Sequence, residues 1–271
     1  MSNRRTLLKA AFPATIGTLA AACAPLDSVR SRFESDDRDR LNVFADASLA
    51  PIVPSVTSDF EGANPNTRLD ISLRPSGEIM RALLGGKHFD AVLLGGDTFG
   101  VPLVEAGLIK IGTMRPIASN WLVIATPHAG ALEIQSPQDL LRADVERIGI
   151  ADWEESALGR YAFQSLGSLE LWETLADKRA KTRDERELVE RVSDGKVDAA
   201  VLYSSSVASA SERVIGQAPL PEQSHRPIIY YVGISQKTKY SIMRSQFSAY
   251  LVSQRGQRHF ESAGYRMLNL H

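Results

Sequence analysis

The chain has 271 residues, with 44% hydrophobic and 23% charged side chains and a formal net charge of -1. That length suits one large domain or two modest lobes, and the composition is ordinary for a globular protein. A near-neutral charge with no polybasic run gives no pull toward nucleic acid or anionic lipid, and no nucleic-acid partner is expected. Cys23 is the only cysteine, so a disulfide within the chain and a cysteine-built metal site are both excluded.

The first 23 residues, MSNRRTLLKAAFPATIGTLAAAC, read as an address. A basic start, a weakly apolar middle from Leu7 to Ala22 and small residues at the end form an export signal. The apolar stretch is too short and weak for a membrane span, which takes about 20 strongly apolar residues. Arg4-Arg5-Thr6-Leu7-Leu8-Lys9 looks like a twin-arginine motif. Leu19-Ala20-Ala21-Ala22-Cys23 resembles a lipobox, in which Cys23 is lipidated; the alternative is simple cleavage after Ala22. Residues 1–22 are thus the signal and 23–40 a solvated tether without apolar period. Both routes place the mature protein in the periplasm or cell envelope.

Strands and helices then alternate. A strand at 41–45 precedes a helix at about 49–62, and a strand at 68–73 precedes a helix at 77–86. FDAVLL, residues 89–94, is a continuous apolar run of the kind buried on both faces of a sheet. A helix with Val101, Leu103, Val104 and Leu108 follows, then a strand at 121–125. Ser136-Pro137-Gln138-Asp139 carries the residues of a helix start. Strands at 147–151, 197–203 and 228–234 complete the sheet-forming segments. Helices begin near Gly159 and Arg183, and a last helix runs over about 241–254. The alternation predicts an α/β fold with mostly parallel strands, whose ligands bind at the carboxyl ends beside helix N-termini.

Those junctions supply the candidate residues. Ser48 and Ser76 each stand between a strand and a helix. Each is either a cap, worth about 1 kcal/mol, or a hydroxyl donor to an anion resting on the helix N-terminus. Backbone N–H groups at Leu158 and Gly159 lie at a helix start, where they lack intrahelical acceptors. Arg183-Asp184-Glu185-Arg186 opens a further helix. Tyr203 ends the strand VDAAVLY and is either a half-buried core residue or a ligand.

Catalytic patterns are missing from the sequence. The five histidines are scattered without metal-ligand spacing. There is no G-x-S-x-G elbow, no cysteine nucleophile in the mature chain and no Gly-rich phosphate loop. The chain reads as a binder, not an enzyme, with no cofactor.

From Leu41 to Asn269 the sequence resembles the periplasmic molybdate-binding proteins of ABC importers, as a divergent member. The landmarks are LNVFADASLAPIVPSVTSDFE, ISLRPSGEIMRAL, FDAVLLGGD, SNWLVIATP, LGRYAFQSL, VERVSDGKVDAAVLY and RPIIYYVGIS, in that order. The resemblance implies a two-lobed, type II binding-protein fold with a hinge and an interlobe cleft. Residues 41–121 and 229–271 would form one lobe and 122–228 the other. It implies a monomer that captures molybdate or tungstate and passes it to a membrane permease, performing no chemistry. By residue match, the oxyanion would be held by the hydroxyls of Ser48, Ser76 and Tyr203 and by backbone N–H groups of Leu158 and Glu185. The alternatives are another anion (sulfate, phosphate, a phosphonate or a carboxylate solute) and a sensory role.

The chain departs from the family at several places. Ser156-Ala157-Leu158-Gly159 replaces a usual Val-Pro-Ala-Gly, Gly95-Gly96-Asp97 replaces Ser-Ala-Asp, and Asp46 stands where a small residue is common. Because a carboxylate repels a dianion, Asp46, Glu154, Glu155 and Glu185 are expected to face solvent or to pair with Arg74, Arg160 or Arg186.

Overall fold

The computed structural model describes residues 38–130, 132–237 and 241–268. The export signal, Cys23 and nearly all of the tether lie outside the described residues.

The chain builds two five-stranded sheets. The first contains β1 (Asp39–Asp46), β2 (Thr67–Arg74), β3 (Ala91–Gly95), β4 (Arg115–Ser119) and, from far downstream, β10 (Ile229–Ile234). Its order is β2-β1-β3-β10-β4. The second contains β5 (Leu122–Pro127), β6 (Ile148–Ala151), β7 (Arg179–Thr182), β8 (Ala199–Tyr203) and β9 (Val214–Pro219), in the order β7-β6-β8-β5-β9. In each sheet three parallel strands are followed by an antiparallel one, β10 against β3 and β5 against β8. This is the two-lobed α/β architecture expected. The chain crosses between the sheets at 119–122 and again at 219–229.

The central strands are the continuous apolar runs of the sequence. Every residue of β3 and of β8 is buried, because strands flanked by neighbours and covered by helices on both faces bury both sets of side chains. The covering helices are α1 (Val53–Ala63), α2 (Ser76–Leu84), α3 (Val101–Glu105), α4 (Ala157–Ser168), α5 (Glu185–Ser193), α6 (Ser204–Ser209), α7 (Ser241–Val252) and α8 (Gln254–Ser262). Among the described residues no helix is long and apolar enough to cross a membrane.

Several expected elements differ in detail. The helix expected at 49–62 is a 3-10 turn, Ala47–Ile52, running into α1. Pro51 and Pro54 lack the N–H that a continuous α-helix would use, so the tighter turn comes first. The helix expected at about 241–254 is α7, and a further helix, α8, follows it from Ser253, whose hydroxyl accepts from Gly256 N–H at 3.2 Å. The helix signal at Ser136 is a true start, with Ser136 and Asp139 forming a reciprocal cap, but only a 3-10 turn, Pro137–Leu141, follows. β1 begins at Asp39, two residues inside the expected tether. Strands β4, β7 and β9 lacked an apolar run to reveal them. β7, for example, is Arg-Ala-Lys-Thr with one buried residue, and its pairing comes from β6 rather than from its own side chains.

Candidate functional site in the interlobe cleft

The parallel strands of both sheets end at one place. β1 ends at Asp46, β2 leads to Ser76, β3 ends at Gly95, β6 leads to Asp152, β7 leads to Glu185 and β8 ends at Tyr203. Contacts across the gap hold these ends together. Gly77 N–H donates to the Glu155 carbonyl at 2.7 Å. Arg81 pairs with Glu155 at 2.8 Å, Arg183 with Glu78 at 3.4 Å and Arg226 with Asp97 at 2.6 Å. The lobes are therefore closed on one another.

Gly77 matters to that closure. A β-carbon there would stand 2.7 Å from the Glu155 carbonyl oxygen and 2.8 Å from its Cα, inside van der Waals contact with backbone that cannot rotate away. Gly77→Ala is expected to prop the cleft open. Small-angle scattering should record a larger radius of gyration, and solute affinity should fall at least tenfold.

Ser48 and Ser76 meet at a single carboxylate. Asp46 Oδ1 accepts from Ser48 N–H at 3.0 Å and from the Ser48 hydroxyl at 2.5 Å. Asp46 Oδ2 accepts from Ser76 N–H at 3.1 Å and from the Ser76 hydroxyl. Ser76 Oγ in turn accepts from Gly95 N–H at 3.1 Å. The Ser48 proton goes to Asp46, so the Tyr230 hydroxyl, 2.9 Å away, must donate to Ser48 Oγ. Tyr265 fixes the same turn from behind, donating to the Ser48 carbonyl at 2.5 Å. Asp46, Ser48 and Ser76 are all buried.

This overturns the expectation that Asp46 faces solvent or pairs with arginine. It also moves the cap: Asp46, not Ser48, caps the 3-10 turn, and Ser48 lies in the turn it caps. Burial pushes the Asp46 carboxyl above its ordinary value, against the pull of four donors.

Glu185 corrects the same expectation. It opens α5 behind the cap residue Asp184, yet its side chain is buried. Oε1 accepts from Tyr203 N–H at 3.2 Å. Burial raises the Glu185 carboxyl to about 8, so it is mostly protonated at neutral pH and does not oppose an anion. Glu155 pairs with Arg81 rather than with the expected arginines; Glu154 is exposed, as expected.

Two buried polar atoms here have no protein partner, Glu185 Oε2 and the Tyr203 hydroxyl. Tyr203 is fully buried, its ring edge-on to Tyr230 at 6.0 Å. Burial holds the Tyr203 phenol protonated, well above its ordinary value. An unpaired buried hydroxyl costs about 1–3 kcal/mol, so this one is open to an acceptor from outside the protein. Leu158 is the second residue of α4, behind the cap Ser156, whose hydroxyl accepts from Gly159 N–H at 3.4 Å. Its neighbour Ala157 faces Gly95, and a β-carbon at Gly95 would lie 2.9 Å from the Ala157 methyl and 3.6 Å from Asp46 Cγ. A cavity of about 220 Å³ runs from Ala47 and Ser48 to Glu185, Ser206 and Arg213.

The structure thus brings Ser48 to Ser76 and Glu185 to Tyr203, and places Leu158 at the same cleft. Sequence reasoning passed over Tyr230, Tyr265 and Ser206. Tyr230 lies in the quoted run IIYYVGI, but nothing local tells which of its two tyrosines turns inward.

Two closed α/β lobes with polar groups gathered at facing strand ends define a bilobal solute-binding protein. The chain belongs to the family of bacterial extracellular solute-binding proteins, whose pattern matches residues 41–266. It is 26% identical over 248 residues to Bacillus subtilis YvgL, assigned by its name to the substrate-binding lipoproteins of ABC transporters, covering 91% of this chain and 93% of that one. It is 25% identical over 198 residues to the molybdate-binding protein ModA of Haemophilus influenzae, covering 72% and 78%. The solved sulfate-binding protein SubI of Mycobacterium tuberculosis shares the fold, with a TM-score of 0.74, 16% identity and coverage of 86% and 88%. Each of these relatives is named as a solute-binding protein.

Proposed function

We propose that this protein is the extracytoplasmic receptor of an ABC importer for a tetrahedral oxyanion, molybdate or tungstate. Residues 41–121 and 229–271 act as one lobe and 122–228 as the other, hinged at the two crossings. In this reading Cys23 carries a lipid that tethers the monomer beside its permease. The hydroxyls of Ser48, Ser76 and Tyr203 and the N–H groups of Leu158 and Glu185 hold the anion.

One observation carries the reading. Two hydroxyls and two backbone N–H groups, from the Ser48 turn and the start of α2, converge on the two oxygens of one carboxyl group. That is an anion seat by construction, since helix starts present uncompensated N–H groups and positive dipole ends. The neutral Glu185 and Tyr203 leave two further hydrogen-bonding groups in the opposite lobe.

Calorimetric titration of the purified chain with molybdate, tungstate, sulfate and phosphate tests it. Micromolar or tighter binding of molybdate or tungstate with sulfate silent is the expected result; silence for all four overturns it. A second reading, an organic anion such as a phosphonate, is favoured by the cavity of about 220 Å³ beside the seat, which exceeds what a bare oxyanion fills. Binding of an organic phosphonate in place of molybdate would select it.

A further inference from the structure

The seat is already full. A carboxylate offers about four acceptor positions on its two oxygens, and Asp46 uses them on four donors, two per oxygen. These are the same donors, Ser48 and Ser76, on which the oxyanion reading depends. No ion pair neutralises Asp46 among the described residues; Arg81, Arg183 and Arg226 pair with Glu155, Glu78 and Asp97 across the cleft, and Arg186 and Arg213, on the cavity wall, make no ion pair with Asp46. A second anion cannot enter the same donor set while the first remains, because the hydroxyl protons are spent and like charges at contact repel strongly in a dry site.

We propose that Asp46 is a tethered competitor anion: its carboxylate holds the seat in the solute-free protein, an oxyanion binds by displacing it, and Asp46 thereby sets affinity and anion selectivity. The inference rests on the oxyanion reading above and goes beyond it. Displacement has somewhere to go. The cavity opens at Ala47 and Ser48, the next two residues.

Exchange of one anion for another has a proton signature. A carboxylate pushed off four donors into a buried cleft gains a proton more readily, so solute binding takes up protons and tightens as pH falls. The other titratable groups facing Asp46 are Glu185 on α5, Tyr161 on α4, Tyr203 on β8, Tyr230 on β10 and Tyr265 near the C-terminus. The tyrosines stay protonated throughout the physiological range. Glu185 titrates near 8, so its contribution is removed by measuring in a Glu185→Gln background.

The experiment is calorimetric titration of molybdate into the full chain, wild type and Asp46→Ala, each repeated in the Glu185→Gln background, at pH 6 to 8.5 and in buffers of different ionisation enthalpy. Asp46→Ala is expected to bind at least tenfold tighter at pH 8. Wild-type affinity is expected to weaken as pH rises, by up to tenfold per pH unit, with proton uptake that the variant lacks. Equal affinity in both proteins overturns the proposal and leaves the oxyanion function standing. So does loss of binding in the variant, which would make Asp46 a ligand in its own right. If neither protein binds any of the four oxyanions, the function itself falls. Asp46→Asn is the fallback should the alanine variant not fold: its amide opposes the seat's donors, so it too should bind tighter than wild type.

Discussion

Ser48→Ala combined with Ser76→Ala is expected to abolish oxyanion binding while the protein remains folded. Each hydroxyl gives a hydrogen bond to a charged group, worth about 1.5–3 kcal/mol. Losing both removes roughly 3–6 kcal/mol, or about two to four decades of affinity. Calorimetry with molybdate reads the loss, and circular dichroism confirms the fold; unchanged affinity would sink the site assignment. The same substitutions leave Asp46 with only its two backbone donors. Its carboxyl is already raised by burial, and losing donors raises it further. The double variant is therefore expected to melt lower than wild type at pH 8 and to recover toward wild type as the pH falls and the carboxyl takes a proton.

Stability should fall as pH rises from about 5 to 8, and Glu185 should account for much of the fall. Its carboxyl sits near 8 in the folded protein against an ordinary value of 4.5. Between those values the folded state holds a proton that the unfolded state has released, so the slope of unfolding free energy with pH is negative. The contribution is complete below pH 4.5 and is lost as pH climbs to 8. The full span is of the order of 5 kcal/mol for a buried group shifted this far. Asp46, raised by burial as well, acts in the same direction. Glu185→Gln keeps the shape and removes the titration. Urea unfolding at pH 5, 7 and 8.5 should show a flatter profile for this variant and a higher stability than wild type at pH 8.5. Parallel profiles would mean that Glu185 is ionised in the fold.

Both predictions bear on one functional point. A receptor for a dianion usually keeps acid out of its cleft, yet this cleft contains two buried carboxyl groups. Glu185 fits such a role because it is neutral at pH 7. On the proposal above, Asp46 fits because it occupies the anion's place when the solute is absent. The acid is tolerated in one case by protonation and in the other by hydrogen bonding.

Much of the architecture was legible along the chain. The runs FDAVLL and VDAAVLY revealed strands buried on both faces, since continuous apolar sequence has no other place to go. Alternation of strand and helix gave the α/β class, and the strand-to-helix junctions located Ser48, Ser76, Leu158, Glu185 and Tyr203. Those features are local: each depends on a few neighbouring residues and the period of their side chains.

What the tertiary structure decided is which groups share a space. Asp46 finds Ser76 across 30 residues, and Glu185 finds the Tyr203 backbone across 18. Tyr230 reaches Ser48 across 182, because the chain returns to its first sheet as β10 only after building the second. A carboxylate next to a turn is solvated unless distant chain closes over it, and only then is its charge answered by chosen donors. The sequence by itself therefore determined the elements and the junctions. The burial of Asp46 and Glu185, and the filling of the anion seat by the protein's own side chain, came from packing, since desolvation is a property of the assembled cleft and of no single segment.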